Sequence, residues 1–159
     1  MISISLQPIG YVRNSRKDLV DDDWDSVPTS IELSADFGPE SLKGLEAFSH
    51  AEVIYHFDRV PESDIERGAR HPRGNREWPS VGIFAQRGKN RPNRLGATLV
   101  EILGVEGRLL RVAGLDAVDG TPVLDIKPVM KEFLPRSPVR QPEWSHALMK
   151  DYWKVGSQK

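Results

Sequence analysis

The chain has no cysteine, so neither a disulfide framework nor a thiolate metal centre is available to it. That composition fits a reducing compartment. No apolar run approaches the length needed to span a bilayer, and the opening Met1-Ile2-Ser3-Ile4-Ser5-Leu6 carries no basic region; the expectation is a cytoplasmic protein that uses no membrane. Other fingerprints are missing as well. No glycine-rich turn joins a strand to a helix, which removes the dinucleotide fold and the commonest methyltransferase fold. Gly88-Lys89-Asn90 lacks the preceding spacing of a phosphate loop, and no serine sits in a nucleophile elbow. His50 and His56 share a strand face without carboxylates to complete a ligand set, so no metal is expected. Internal repeats and low-complexity tracts are absent.

What is present is the material of one ordinary globular domain. The 159 residues are 38% hydrophobic and 28% charged, enough for one core with little room for a second. We expect a single domain over residues 1–159, with its core at about 5–133 and a tail helix at about 143–154. The net charge of -1 conceals a segregation. Between Asp18 and Glu66 the only bases are Lys43 and Arg59, whereas Arg67, Arg70, Arg73, Arg76, Arg87, Lys89, Arg91 and Arg94 follow with Glu77 as the only acid among them. Either the two halves neutralise each other, within the fold or across a dimer, or the basic stretch meets an anionic partner such as RNA.

The pattern of elements is mainly β. Strands are expected at Leu6–Arg13, Ser30–Leu33, Ser49–Arg59, Val81–Gln86, Leu95–Leu103, Arg108–Leu115 and Val123–Lys127. Gly104-Val105-Glu106-Gly107 closes a hairpin, and Asp119-Gly120 is a turn. Gly38-Pro39-Glu40 opens a brief helix to Leu45. Pro61 to Pro79 reads as a long surface loop, of a length that is commonly functional. Several short strands at near-regular spacing predict a small closed or nearly closed β-barrel with short peripheral helices. Trp144, Leu148 and Tyr152, four residues apart, predict an amphipathic C-terminal helix over Glu143–Lys154.

Two segments carry chemistry. Phe84-Ala-Gln-Arg87-Gly-Lys-Asn-Arg91-Pro-Asn-Arg94 leaves one strand and enters the next through a turn dense in guanidinium groups. Such a turn suits a carboxylate or a phosphate. The alternative is an exposed loop whose arginines pair with the acidic half. The second segment holds Asp116, Asp119 and Asp125 around a tight turn. Those carboxylates could hold hydroxyls, an amine or a proton, and Asp119 could equally bond its own backbone. Arg70, Arg73 and Arg76, spaced by three around Pro72 and Gly74, point to phosphate contacts outside a small pocket, with Lys89, Arg91 and Arg94 as further nucleic-acid candidates.

Together the two segments resemble the TsaA-like (YaeB-type) family, which includes the bacterial enzyme that N6-methylates threonylcarbamoyladenosine in tRNA. The resemblance runs through Gln7-Pro-Ile-Gly-Tyr-Val-Arg13, Gly44-Leu-Glu-Ala-Phe-Ser-His50, Val81-Gly-Ile-Phe-Ala85 and, most specifically, Asp119-Gly-Thr-Pro-Val-Leu-Asp-Ile-Lys-Pro128. It implies a β-barrel, a homodimer, and S-adenosylmethionine bound near the subunit interface. Carried over by position, cofactor contacts would fall at Phe57, Asp58, Arg87, Ala97, Leu115, Asp116, Ala117 and Val118. Asp116 or Asp119 could take the proton of the methyl acceptor, and a carboxylate supplied by the substrate could do the same. Relatives acting on tRNA tend to carry Pro-Arg-Gln where this chain has Asp25-Ser-Val-Pro-Thr29, histidine in place of Asp58, and Ser-Pro-Phe in place of Gly88-Lys89-Asn90. These departures bear on the acceptor more than on the cofactor. A non-catalytic barrel that binds the cofactor or RNA, and a methyltransferase with a small-molecule or protein acceptor, stay open beside the tRNA enzyme.

Overall fold

Alternating small and β-branched residues close the sheet on itself. The structure, a computed structural model, describes residues 1–154. Its eight strands are β1 (Gly10–Arg13), β2 (Thr29–Leu33), β3 (His50–His56), β4 (Ala69–Arg70), β5 (Val81–Gly82), β6 (Leu95–Glu106), β7 (Leu109–Ala113) and β8 (Pro122–Pro128). Six of them form a closed antiparallel barrel in the order β1-β2-β7-β6-β3-β8. In β3 the inward set is Ala51, Val53 and Tyr55, and β6 answers with Gly96, Thr98 and Val100. Val12, Ile31, Val53, Leu110, Val112, Leu115 and Val123 have no measurable exposure. Burying a side chain of this kind contributes about 1.5–3 kcal/mol. Leu42 joins the cluster, with Phe37 and Leu45 packed against it. The expected fold class is thus the observed one.

Several boundaries move, each for a local reason. Residues before Gly10 lie outside the first strand, because β8 pairs only with Gly10 and Tyr11; Leu6 stays 60% exposed. The helix expected from Gly38 to Leu45 is two 3-10 turns, Pro39–Leu42 and Leu45–Ala47, separated at Gly44 with φ +91. That angle is costly for any residue with a Cβ. β6 outruns its expected end: it pairs with β3 from Leu95 to Glu101 and with β7 from Glu101 to Glu106, with a register shift between Ile102 and Gly104 in the second ladder. The strand expected at Val81–Gln86 lasts two residues and becomes a 3-10 turn at Ile83–Ala85. The C-terminal helix, α1, ends at Met149.

The long segment between β3 and β6 is ordered by one buried amide. Gln86 donates from Nε2 to the carbonyls of Arg70 (3.1 Å) and Val81 (2.9 Å), and its Oε1 accepts from Arg70 Nε at 3.3 Å. It thereby clamps the two-stranded sheet β4–β5. The stretch read as loop is a folded flap whose base is fixed beside the barrel.

Gly96 is the tightest point of the wall. A Cβ there would fall 2.5 Å from the ring of Tyr55 and 3.0 Å from that of Phe57. We predict that Gly96→Ala costs about 1–3 kcal/mol through overpacking, seen as a fall of several degrees in Tm. Gly82, with nothing within 4 Å of such an atom, is the control and should tolerate alanine.

Candidate active site

The turn from β7 to β8 places Leu115 and Ala117 in the core, at 0% and 4% exposure, and leaves Asp116 between them half-buried at the barrel mouth. Three hydroxyls converge on its carboxylate. Oδ1 accepts from Tyr55 of β3 at 2.8 Å and from Thr98 of β6 at 2.5 Å, while Oδ2 accepts from Tyr152 beyond α1. A charged acceptor makes stronger hydrogen bonds than a neutral one. Burial, and then the negative charge of Asp116, push the Tyr55 phenol well above its ordinary value. The Tyr152 phenol is raised for the same two reasons. Both rings therefore remain neutral donors.

Around Asp116 opens a cleft of about 1160 Å³. Barrel, flap and tail each supply a wall: Phe57 and Ala97 from the first, Phe84 and Arg87 from the second, Trp144 and Trp153 from the third. Phe57 packs edge-on against Tyr55, with centroids 5.3 Å apart. The loop before β2 supplies another side through Leu19, Val20 and Trp24. Arg16 organises that loop. Its guanidinium lies 3.7 Å over the Trp24 ring and donates to the carbonyls of Val20, Asp22 and Asp23.

The residues singled out from the sequence divide sharply. Phe57, Asp58, Arg87, Ala97, Asp116, Ala117 and Val118 do line one cleft. Leu115 belongs to the core instead. Asp119 is outside the cleft: its carboxylate accepts from Lys17 Nζ at 2.6 Å and from the Asn14 amide at 3.0 Å. The Lys17 bond, then the Asn14 bond, hold it below the usual carboxylate range. Its role is to pin a turn.

The arginines divide too. Arg91 donates to the carbonyl of Gln86 at 2.7 Å and Arg94 to that of Val60 at 2.7 Å, so both knit the turn together. Arg87 donates to the carbonyl of Ala97. Arg73 pairs with Asp22 at 3.1 Å and more loosely with Asp21 at 3.8 Å, a fragment of the neutralisation that the charge segregation allowed. Arg70 is held by Gln86 at the cleft wall. Lys89 lines the cleft and Arg76 stands exposed outside it; neither side chain has an ion-pair partner among the described residues. Among the described residues no group of three ligating side chains could hold a metal.

A closed antiparallel barrel with an apolar cleft, a hydroxyl-bound carboxylate and cations at its rim defines a small-ligand binding fold whose site lies at the barrel mouth. Residues 22–133 match the family model described as the tRNA-methyltransferase O N-terminal domain, and the chain belongs to that family. It is 39% identical over 135 residues to a Pseudomonas aeruginosa protein provisionally named an S-adenosylmethionine-dependent methyltransferase, covering 78% of this chain and 56% of that one. Over 93 residues it is 39% identical to the tRNA (adenine(37)-N6)-methyltransferase of Mus musculus, covering 58% of this chain and 21% of that protein. The crystal structure of TrmO from Pseudomonas aeruginosa superposes with a TM-score of 0.73 at 29% identity, over 91% of this chain and 62% of that one. The chain thus spans about half the length of the first of these relatives and much less of the second.

Tyr55, Thr98, Tyr152, Trp144 and Trp153 escaped the sequence reading as site residues. The four-residue spacing of Trp144, Leu148 and Tyr152 marked an apolar helix face, and all three residues line the cleft.

Two measurements check this arrangement. Because both phenols are raised in the folded state, their contribution to stability is whole below pH ~10 and declines as the pH rises above it. A spectrophotometric titration should therefore find Tyr55 and Tyr152 silent until alkaline unfolding. Separately, Arg91→Ala and Arg94→Ala should each lower stability by about 1–3 kcal/mol by leaving carbonyls unpaired, whereas Arg76→Ala should stay within about 0.5 kcal/mol of the parent.

Proposed function

We propose that the chain is an S-adenosylmethionine-dependent methyltransferase acting on tRNA, and that its reaction is N6-methylation of threonylcarbamoyladenosine. The observation that carries this reading is the convergence of Phe57, Arg87, Ala97, Asp116 and Val118 on one cleft, combined with family membership. The residues fit the cofactor's chemistry. Phe57 and Val118 offer apolar surface for an adenine ring, Arg87 a cation for a carboxylate, and Asp116 an acceptor for an amine or hydroxyl. When bound, the cofactor supplies a methyl group already activated on a sulfonium.

The chain's own contribution is alignment, exclusion of water and handling of one proton. Tyr55 and Thr98 fix Asp116 through Oδ1, so the carboxylate cannot rotate freely. Oδ2 meets only the Tyr152 hydroxyl among the described residues. The proton released when the acceptor nitrogen takes up the methyl group needs a base, and of Asp116 and Asp119 only Asp116 faces the cleft. Lys89 at the cleft wall and the exposed Arg76, neither with an ion-pair partner among the described residues, are the cations that would form a basic edge for RNA phosphates. Arg91 and Arg94 support that edge from behind.

We further propose a homodimer working in the cytoplasm, where tRNA is found. Leu99 and Leu103, 50% and 52% exposed, stand on the outer face of β6 on either side of Glu101, and a two-fold contact would cover that apolar surface. Light scattering should give twice the chain mass; a monomer at all concentrations would remove the contact.

The direct test is calorimetry with S-adenosylhomocysteine, followed by methyl transfer to tRNA from a strain lacking the modification. We expect binding, one new N6-methylated nucleoside, and a loss of about 1.5–3 kcal/mol of affinity in Arg87→Ala. Binding without transfer to tRNA would make the chain a non-catalytic binder or the enzyme of another acceptor. No binding of S-adenosylhomocysteine at millimolar concentration would overturn the reading altogether.

A further inference from the structure

The family model ends at residue 133, yet the cleft continues beyond it. Helix α1 (Glu143–Met149) and the turn after it supply a whole wall through Trp144, Leu148, Met149, Tyr152 and Trp153. The segment is tied in place. The amides of Asp23 and Trp24 donate to the carbonyls of Asp151 and Tyr152 at 3.2 and 2.9 Å, and the Tyr152 hydroxyl donates to Asp116. It is therefore fastened to the Arg16–Trp24 loop on one side and to the central carboxylate on the other.

Such a segment is either a plug that a ligand must expel or a wall that a ligand meets. Volume separates the two. With the segment docked, the cleft still measures about 1160 Å³, above the roughly 300–1000 Å³ that pockets for a single small ligand occupy. The docked segment therefore leaves the cleft open to a ligand without withdrawing. The composition points the same way. Trp153 stands at 86° to Tyr152 with centroids 4.9 Å apart, so its plane is set by packing. Trp144 and Trp153 are both only half-buried, which leaves aromatic surface open to the cleft.

We propose that Glu143–Lys154 is the acceptor wall of the site, with Trp144 and Trp153 forming the surface on which the base to be methylated stacks. This rests on the tRNA methyltransferase reading and adds a division of labour to it. The barrel and flap hold the cofactor through residues within the family model, and a segment outside that model receives the acceptor. Aromatic side chains suit this task, because sequence-specific RNA recognition takes unstacked bases from single-stranded loops and sandwiches them on such rings. The bond from Tyr152 to Asp116 sets the distance between the stacked base and the carboxylate that takes its proton.

The test uses the full chain with Trp144 and Trp153 both replaced, first by alanine and then by phenylalanine. S-adenosylhomocysteine affinity is read by calorimetry, and kcat and KM by methyl transfer to unmodified tRNA. The alanine pair should raise the KM for tRNA about tenfold or more while cofactor affinity stays within about twofold, and the phenylalanine pair should recover most of the loss. An unchanged KM overturns the proposal, and so does a parallel loss of cofactor affinity, which would assign the wall to the cofactor. A parent chain that binds S-adenosylhomocysteine yet transfers nothing to tRNA defeats the functional reading first and this proposal with it, so the two failures are told apart.

Discussion

A carboxylate brought to the mouth of an apolar barrel has to be satisfied, and the way Asp116 is satisfied organises the rest of the molecule. Leaving such a group half-desolvated without partners would cost several kcal/mol. The chain meets this with hydroxyls rather than a cation. Tyr55 and Thr98 project from neighbouring positions of β3 and β6, and Tyr152 arrives from the far end of the described chain. A cation would have neutralised the charge and closed the mouth. Neutral hydroxyls hold the geometry and leave the negative charge in the cleft, where a positively charged or proton-bearing ligand meets it.

The packing follows from that choice. Tyr55 must lie flat across the strand that carries Thr98, and this is why position 96 has to be glycine. Phe57 then leans edge-on against Tyr55 and faces the cleft. The demand for a third hydroxyl draws the C-terminal segment over the opening, and the Asp23 and Trp24 amides fix it there. Carboxylate, glycine wall and tail are one constraint seen from three sides.

How much of this was readable in advance depended on whether a residue's neighbours are near in sequence. β3, β6, the hairpin and the Asp119-Gly120 turn were legible, because alternation and turn chemistry are local; Gly120 indeed takes φ +85. Asp116 stood out as one of three carboxylates around a tight turn, and the apolar residues beside it were found through the resemblance. Tyr55 was taken only as strand material, since nothing local distinguishes a phenol that meets a carboxylate 61 positions later. The arginine-rich turn suggested guanidinium groups gathered for a carboxylate or phosphate. Charge is visible in a sequence, but carbonyl partners are not, so nothing in it showed that Arg91 and Arg94 donate to the carbonyls of Gln86 and Val60. The flap looked like loop because Gln86, whose amide folds it, carries no signal until its partners are known.

The central claim is that Tyr55 and Tyr152 act through one shared carboxylate, and a double-mutant cycle on thermal or denaturant unfolding measures it. Tyr55→Phe and Tyr152→Phe should each destabilise, and the double variant should depart from their sum by about 0.5–3 kcal/mol, because residues in one hydrogen-bonded network do not add. Effects that sum to within about 0.3–0.5 kcal/mol would show that barrel and tail are held independently, and would contradict the account.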